Sequence, residues 1–297
     1  VGCSFKLFSV RTLLPGLLFA ALWASASEAT KFGVLSADPL LLANVRFFIA
    51  GSLMLFWAYG LSRNPMPNRV EWKRLTLFAL LNTTIYLGAF VLALKQVSAG
   101  IGSLSTATNP LFITLLSALW LRRTMRWYEW AGIALGMGGV LLATYPLLQN
   151  SYATVQGLLI LLGGMVSVSA ATVYYARFTW DLPNLVINAW QVTIGGILLL
   201  PFTLLFANFG DSHYDTRFWR SAFWLIIPVS VVALQLWFYL VRQDAVKASL
   251  WLFLCPIFGF LYSSFIFEEP ITVFTYAGTG LVLAGLYLAQ LDKFKKA

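Results

Sequence analysis

Apolar runs of about 20 residues recur along the chain, separated by short polar stretches. A helix rises about 1.5 Å per residue, so about 20 apolar residues cross the ~30 Å hydrocarbon core of a bilayer. The pattern predicts membrane-spanning helices over 13–35, 40–60, 74–94, 98–121, 128–148, 154–178, 185–207, 219–241, 246–267 and 272–291. Between them lie residues that start or stop helices: Asp38-Pro39, Asn64-Pro65-Met66-Pro67, Asp181-Leu182-Pro183-Asn184 and Glu268-Glu269-Pro270. The longest connection, 208–218, holds Asp211, His213, Asp215 and Arg217. The expected fold class is an all-α polytopic membrane protein with ten transmembrane helices.

Composition agrees with this reading. The 297 residues are 60% hydrophobic and 10% charged, against about 25% charged in soluble domains. The net charge of +9 admits two readings, nucleic-acid binding or basic cytoplasmic loops. Position decides. With the N-terminus inside, fifteen of the 20 Lys and Arg fall on the cytoplasmic side. Only Lys95, Arg217 and Arg220 fall outside, and Lys31 and Arg46 lie within spans. That is the positive-inside pattern. It predicts both termini in the cytoplasm, a multi-pass protein of the bacterial inner (plasma) membrane, and no nucleic-acid partner. The start, Lys6 and Arg11 followed by Leu13–Ala24 and Ala24-Ser25-Ala26, also imitates a signal peptide. The apolar stretch continues to Val34, however, and has an internal counterpart that a signal peptide would lack.

That counterpart belongs to a duplication. Asn109-Pro110-Leu111-Phe112 aligns with Cys255-Pro256-Ile257-Phe258, Ala131-Gly132 with Ala277-Gly278, and Gly139 with Gly285, all at an offset of 146. Ile49-Ala50-Gly51 aligns with Ile194-Gly195-Gly196 at 145, and Gly16-Leu17-Leu18 with Gly157-Leu158-Leu159 at 141. The order is the same in both halves, so residues 1–150 and 151–297 read as two five-helix repeats. An odd number of helices per repeat inverts the second copy, an architecture of secondary transporters with the substrate held near the midplane. Arg122-Arg123 and Glu268-Glu269 occupy the same repeat position, basic inside and acidic outside.

The chain resembles the drug/metabolite transporter superfamily, EamA-type, over nearly its whole length. The likeness rests on Leu22-Trp23, Lys31 and Arg46-Phe47 in the first half. In the second it rests on Pro256-Ile257-Phe258, Phe267-Glu268-Glu269-Pro270-Ile271-Thr272, Ala277-Gly278 and Leu283-Ala284-Gly285. Arg123 departs from the pattern, standing where the family often has Glu, so any role of that Glu carries over to Glu269 alone. The resemblance implies ten helices and export of amino acids, related metabolites or drugs.

Candidate chemistry starts with the charges inside spans, because each costs roughly 2.5–3.5 kcal/mol at a helix centre on insertion scales. Glu28 and Lys31 share a face of the first helix, and Arg46 enters at similar depth on the second. In one reading the three bind a zwitterion, with Lys31 or Arg46 on its carboxylate and Glu28 on an ammonium or a coupling proton. In the other, Lys31 snorkels to headgroups and Arg46 pairs with Glu28. Asn82, Tyr86 and Asn109 in the first half, and Tyr175 and Gln235 in the second, mark a polar path. Trp23 and Trp251 are candidates for stacking on a solute. Pro110 and Pro256, at matched positions, are expected to interrupt helices as hinges. Small residues at Gly132/Gly136 and Gly280/Ala284 suggest close helix contacts.

Two cysteines and a single histidine predict no disulfide framework, metal site or histidine-based catalysis. No phosphate-cradling Gly-rich Lys motif occurs, so a gradient is expected to supply the energy and no cofactor is expected. The reading is a secondary active transporter working as a monomer or homodimer. Its partners are a small-molecule substrate, membrane lipid and protons as a coupling ion. A multidrug exporter of the same fold, a channel, a receptor or scaffold, and a membrane enzyme are the alternatives. The last lacks convergent acids or a nucleophile motif.

Overall fold

The computed structural model describes residues 10–120, 124–149, 152–243, 251–269 and 271–289. Arg122, Arg123, Lys247 and the C-terminal lysines lie outside them. The described residues form α1 (Val10–Val34), α2 (Pro39–Leu55), α3 (Arg69–Ala79), α4 (Tyr86–Gln96), α5 (Ala99–Thr106), α6 (Asn109–Trp120), α7 (Trp127–Gln149), α8 (Val155–Ala176), α9 (Asn184–Phe206), α10 (Thr216–Trp224), α11 (Leu234–Gln243), α12 (Cys255–Phe267) and α13 (Val273–Ala289). Three π-helical stretches continue or join them: Phe56–Leu61 after α2, Leu80–Ile85 between α3 and α4, and Leu225–Ala233 between α10 and α11. Among the described residues, six continuous segments are long and apolar enough to cross a membrane: Leu13–Val34, Pro39–Leu61, Arg69–Gln96, Val155–Ala176, Asn184–Phe206 and Thr216–Trp237. The protein is a multi-pass membrane protein.

The punctuation in the sequence sets the helix ends. Asp38 accepts from the Leu40 amide at 2.9 Å ahead of Pro39, which begins α2 where a proline loses no hydrogen bond. Asn68 and Glu71 form a reciprocal capping box on α3. Ser98, Thr154 and Asp215 cap α5, α8 and α10 through their side chains.

Packing follows the repeat. α2 lies against α9 and α7 against α13, each beside its own counterpart in the other half, and α5 lies against α12, the counterpart of α6. α1 packs on α12, on α10 and on the π stretch that follows it. α8 packs on α6, on α4 and on the π stretch before it. Exchanging the halves relates the α1–α12 and α8–α6 contacts and those to the two internal π stretches; the halves differ in that α1 lies on α10 and α8 on α4, because α10 corresponds to α3 and α4 to α11. The internal π stretches obey the same relation, since 80–85 shifted by 146 falls on 226–231.

The prolines behave differently from the expectation that they interrupt helices. The chain breaks at Ala107-Thr108, before Pro110, and Pro110 is the second residue of α6. Pro256 is likewise the second residue of α12, after a 3-10 turn over Trp251–Leu254. At a helix start the missing amide has no partner to lose, so the break and the proline fit each other. The hydroxyls of Ser105, Thr106 and Thr108 bond back to the carbonyls of Gly102, Ser103 and Ser105 at 2.6–2.8 Å, satisfying the backbone where α5 ends.

α7 and α13 meet backbone to backbone. A methyl group on Gly139 or Gly278 would strike the other's carbonyl, and one on Gly285 would strike Gly132 and Gly136. The partners are thus Gly132, Gly136 and Gly139 against Gly278 and Gly285. The expected Gly280/Ala284 pair is not among them: Gly280 faces open space and Ala284 is exposed. A stripe of small residues read at one helical spacing selected the neighbouring face. Opposite signs follow for one substitution. Gly285→Ala lowers the thermal unfolding midpoint in detergent, by an overpacking cost of roughly 1–3 kcal/mol. Gly280→Ala leaves it unchanged or raises it, because alanine is the better helix former.

Candidate functional site

Midway along the bundle, side chains of four segments form one hydrogen-bonded chain. Asn82 Nδ2 and Thr83 Oγ1, from the π stretch between α3 and α4, donate to Gln191 Oε1 on α9 at 2.7 and 3.1 Å. Gln191 Nε2 donates to Asn188 Oδ1 at 3.0 Å, and Asn188 Nδ2 donates to the Ser230 carbonyl at 3.2 Å. Arg46 Nε, from α2, donates to Ser230 Oγ at 3.0 Å. A π stretch shifts the backbone ladder and leaves polar groups for outside partners; here those partners come from α2 and α9. Thr84, the repeat counterpart of Ser230, donates to the Gly195 carbonyl of α9 at 3.0 Å. Arg46 is 4% exposed, and the buried Tyr86 is the group with which it interacts electrostatically.

A second polar group gathers at the turn between α4 and α5. The last carbonyls of one helix and the first amides of the next meet there, and neither set has a partner within its helix. Lys31 Nζ, from α1, donates to the carbonyls of Leu94 at 2.9 Å and Val97 at 2.7 Å. Glu269, from the loop after α12, accepts from the amides of Ala99 at 3.0 Å and Gly100 at 3.3 Å, and from the Ser263 hydroxyl. A cation thus meets a helix C-terminus and an anion a helix N-terminus, each with the favourable sign. The geometry is reached through Glu268, which sits in left-handed conformation (φ 53°). This residue turns the chain at the end of α12 and folds Glu269 back over it. Burial pushes the Glu269 carboxyl above the ordinary carboxylate range. The amides of Ala99 and Gly100, the Ser98 hydroxyl and the Lys31 charge act in the opposite direction.

The expected residues fall into several places. Arg46, Tyr86 and Asn82 lie in or beside the midway chain. Lys31 holds a helix end instead of reaching for headgroups. Arg46 bonds Ser230, so the expected Arg46–Glu28 pair is not formed. Glu28 is 3% exposed, and neither of its carboxyl oxygens has a hydrogen-bond partner. Asn109 Oδ1 and Gln235 Nε2 are also buried without partners. Trp23 stacks on Phe19 at 5.9 Å. Trp251 is buried against Gly16, where a methyl group would strike its ring. Tyr175 stacks on Trp180 at 5.1 Å, beside Phe78, in a separate aromatic cluster. Asn188, Ser230 and the helix-end role of Glu269 were not expected. Ser230 could have been found, because the offset of 146 places it on the mid-span Thr84.

The EamA-like transporter family model matches residues 11–145 and again residues 155–291. The chain belongs to this family, within the drug/metabolite transporter superfamily. It is similar to an uncharacterized transporter of Synechocystis sp., 28% identical over 90% of this chain and 86% of that one. The uncharacterized transporter YvbV of Bacillus subtilis is 27% identical over 98% and 96% of the two chains. The uncharacterized inner membrane transporter YedA of Escherichia coli is 26% identical over 96% and 93%. A crystal structure covering 96% of this chain and 98% of its own superposes with a TM-score of 0.67 at 21% identity, a likeness of fold.

Two outcomes test these assignments. Gln191→Leu leaves Asn82, Thr83 and Asn188 short of a partner and lowers stability by about 1–3 kcal/mol, read from thermal unfolding in detergent. Glu269 binds its proton more tightly folded than unfolded. Its contribution to stability is therefore complete below the ordinary carboxylate range and falls as pH rises toward the raised value. The unfolding midpoint should decline over that window in the native protein, and Glu269→Gln should remove that part of the decline.

Proposed function

We propose that the protein is a secondary active transporter of a small metabolite, an amino acid or related amphiphilic compound, exported across the bacterial inner membrane by alternating access. The observation that carries this reading is the repeat-related packing of the two halves. α2 pairs with α9 and α7 with α13 as repeat counterparts, α1 and α8 pack on the matched helices α12 and α6, and the helix starts at Pro110 and Pro256 and the two internal π stretches stand at matched positions. Two similar halves that can trade environments are what alternating access between two faces requires. Membership of the EamA-like transporter family, and relatives named as transporters, support the same class.

In this proposal ten helices form two inverted five-helix repeats, residues 1–150 and 151–297, with both termini cytoplasmic. The loop charges support the orientation, which puts the α4–α5 turn, Lys31 and Glu269 at the outer end. Substrate is held between the halves. Arg46 and Tyr86 at the midway chain, with Asn82, Asn109 and Gln235 nearby in depth, are its candidate contacts. Asn109 and Gln235 each keep a buried polar atom free. Glu28 and Lys31 border this region from α1. Trp23, Trp251 and Tyr175 complete the set of candidate contacts, although all three pack on other residues here. Export of organic cations and drugs is the second reading; the buried carboxyl of Glu28 favours it, as a group suited to a cationic solute.

The test is counterflow in proteoliposomes loaded with single amino acids, nucleosides or organic cations. Saturable exchange of one class is expected, with Arg46→Ala reducing it about tenfold or more, in proportion to a lost charge-assisted hydrogen bond of about 1.5–3 kcal/mol. Flux that does not saturate and shows no counterflow would identify a channel and end the carrier reading.

A further inference from the structure

Glu28 is the group that the rest of the fold leaves unanswered. It sits on α1, which packs against α12 and the 3-10 turn before it, α5, α4, α2, α10, the π stretch after it and α11. Both carboxyl oxygens are buried and without a hydrogen-bond partner. An ionised carboxylate placed so, with no cation bonded to it, costs several kcal/mol; the neutral acid costs far less. The arrangement is therefore that of a carboxyl holding its proton.

The ionisable groups around it are engaged elsewhere. Tyr262 on α12 and Glu269 in the following loop interact with it electrostatically, and neither supplies a positive charge. On α2 and α4, Arg46 and Tyr86 face each other, with Arg46 bonded to Ser230. On α10, Arg217 lies over the Phe32 ring at 5.5 Å. α5 brings no charge; its Ser103 hydroxyl donates to Ser27 Oγ at 3.0 Å and to the Ala24 carbonyl at 3.2 Å. The cation placed to answer Glu28 is Lys31, three residues on and on the same face of α1. Lys31 is held by the carbonyls of Leu94 and Val97.

We propose that the Glu28 carboxyl is a proton-binding site that competes with the end of α4 for Lys31, and so fastens or frees the outer seam between the halves. The proposal deepens the transport reading and rests on it for the purpose of the site. The step is an acid–base exchange. The carboxyl O–H bond breaks and the proton leaves to water. The carboxylate then takes the Lys31 N–H bonds that Leu94 and Val97 held, with the charge on Lys31 unchanged. The carbonyls of Leu94 and Val97 lose their lysine donor, and the α4–α5 turn loses its tie to α1 while keeping those to Glu269 and Ser263. Reprotonation of Glu28 returns Lys31 to the helix end. The seam is a natural point of control because α5 and α12 have no slack there: Gly259 is packed against Ser103, and Gly100 against Phe260.

Amide hydrogen exchange tests this without a substrate. Protection of residues 97–101 in the purified native chain, corrected for the intrinsic pH dependence of exchange, is followed from about pH 5 to about pH 9, a range that spans carboxylate and imidazole titration. In the native chain protection should fall about tenfold or more as pH rises. Glu28→Gln should remain protected throughout, Glu28→Asp should keep the response, and Lys31→Met should be unprotected at every pH. Infrared difference spectra should show a protonated carboxyl that disappears on raising pH and is missing in Glu28→Gln. Flat protection in the native chain overturns the proposal. So does a native-like fall in Glu28→Gln, which would assign the response to Glu269. Counterflow on the same preparations judges the transport reading separately: its absence in the native chain would end that reading while the exchange data still decide whether the proton site exists.

Discussion

A backbone amide or carbonyl inside a membrane has no water to turn to, and every helix end placed there must find a partner within the protein. The structure depends on how that demand is met at one turn. α4 stops and α5 starts within three residues, exposing carbonyls and amides side by side. A lysine from α1 answers the carbonyls and a glutamate from the loop after α12 answers the amides. Three segments distant in sequence are thereby fixed to one point. The ion pair that Lys31 and Glu269 could have made is replaced by two charge-to-helix-end contacts, which place each charge where a helix dipole favours it.

The same demand explains the middle of the bundle. The two internal π stretches each reach a partner in the other half through a hydroxyl, Thr84 bonding to α9 and Ser230 to Arg46 of α2, while the Ser230 carbonyl is met by Asn188 of α9. Gln191 and Asn188 join these contacts into one chain because an amide side chain both donates and accepts. Truncating either would leave partners stranded in a medium that offers no substitute. Such a chain ties the halves together at the depth where a solute would have to pass.

Much of this architecture was legible in the sequence. Apolar runs and their punctuation located the helices to within a few residues, since bilayer thickness and capping chemistry act locally. The break near Pro110 was legible as a place but not as a form: a proline pattern does not say whether the helix bends through it or restarts at it. The fates of Glu28, Lys31 and Arg46 were not legible, because partner choice depends on what the third dimension brings alongside. Hydropathy placed the three at similar depth, and it could not know that a helix end would take Lys31 or a serine on a π stretch would take Arg46. Glu269 read as a loop acid because its burial is produced by the left-handed turn at Glu268, a conformation that a non-glycine sequence does not advertise. The small residues of α13 were legible as a contact, but the facing set is seven residues apart, Gly278 and Gly285, rather than four.

That glycine contact has a mechanical consequence. Where side chains interdigitate, two helices can slip by exchanging rotamers, each step small. α7 and α13 have no rotamers at their crossing; carbonyl and amide groups of one lie directly on the other. A shear displacement there would have to lift one backbone over another, so the pair resists sliding and yields only to rotation about the crossing point. One helix of each half is thus pinned to its counterpart like the two blades of a pair of shears, which leaves the other elements of the bundle to supply any translation.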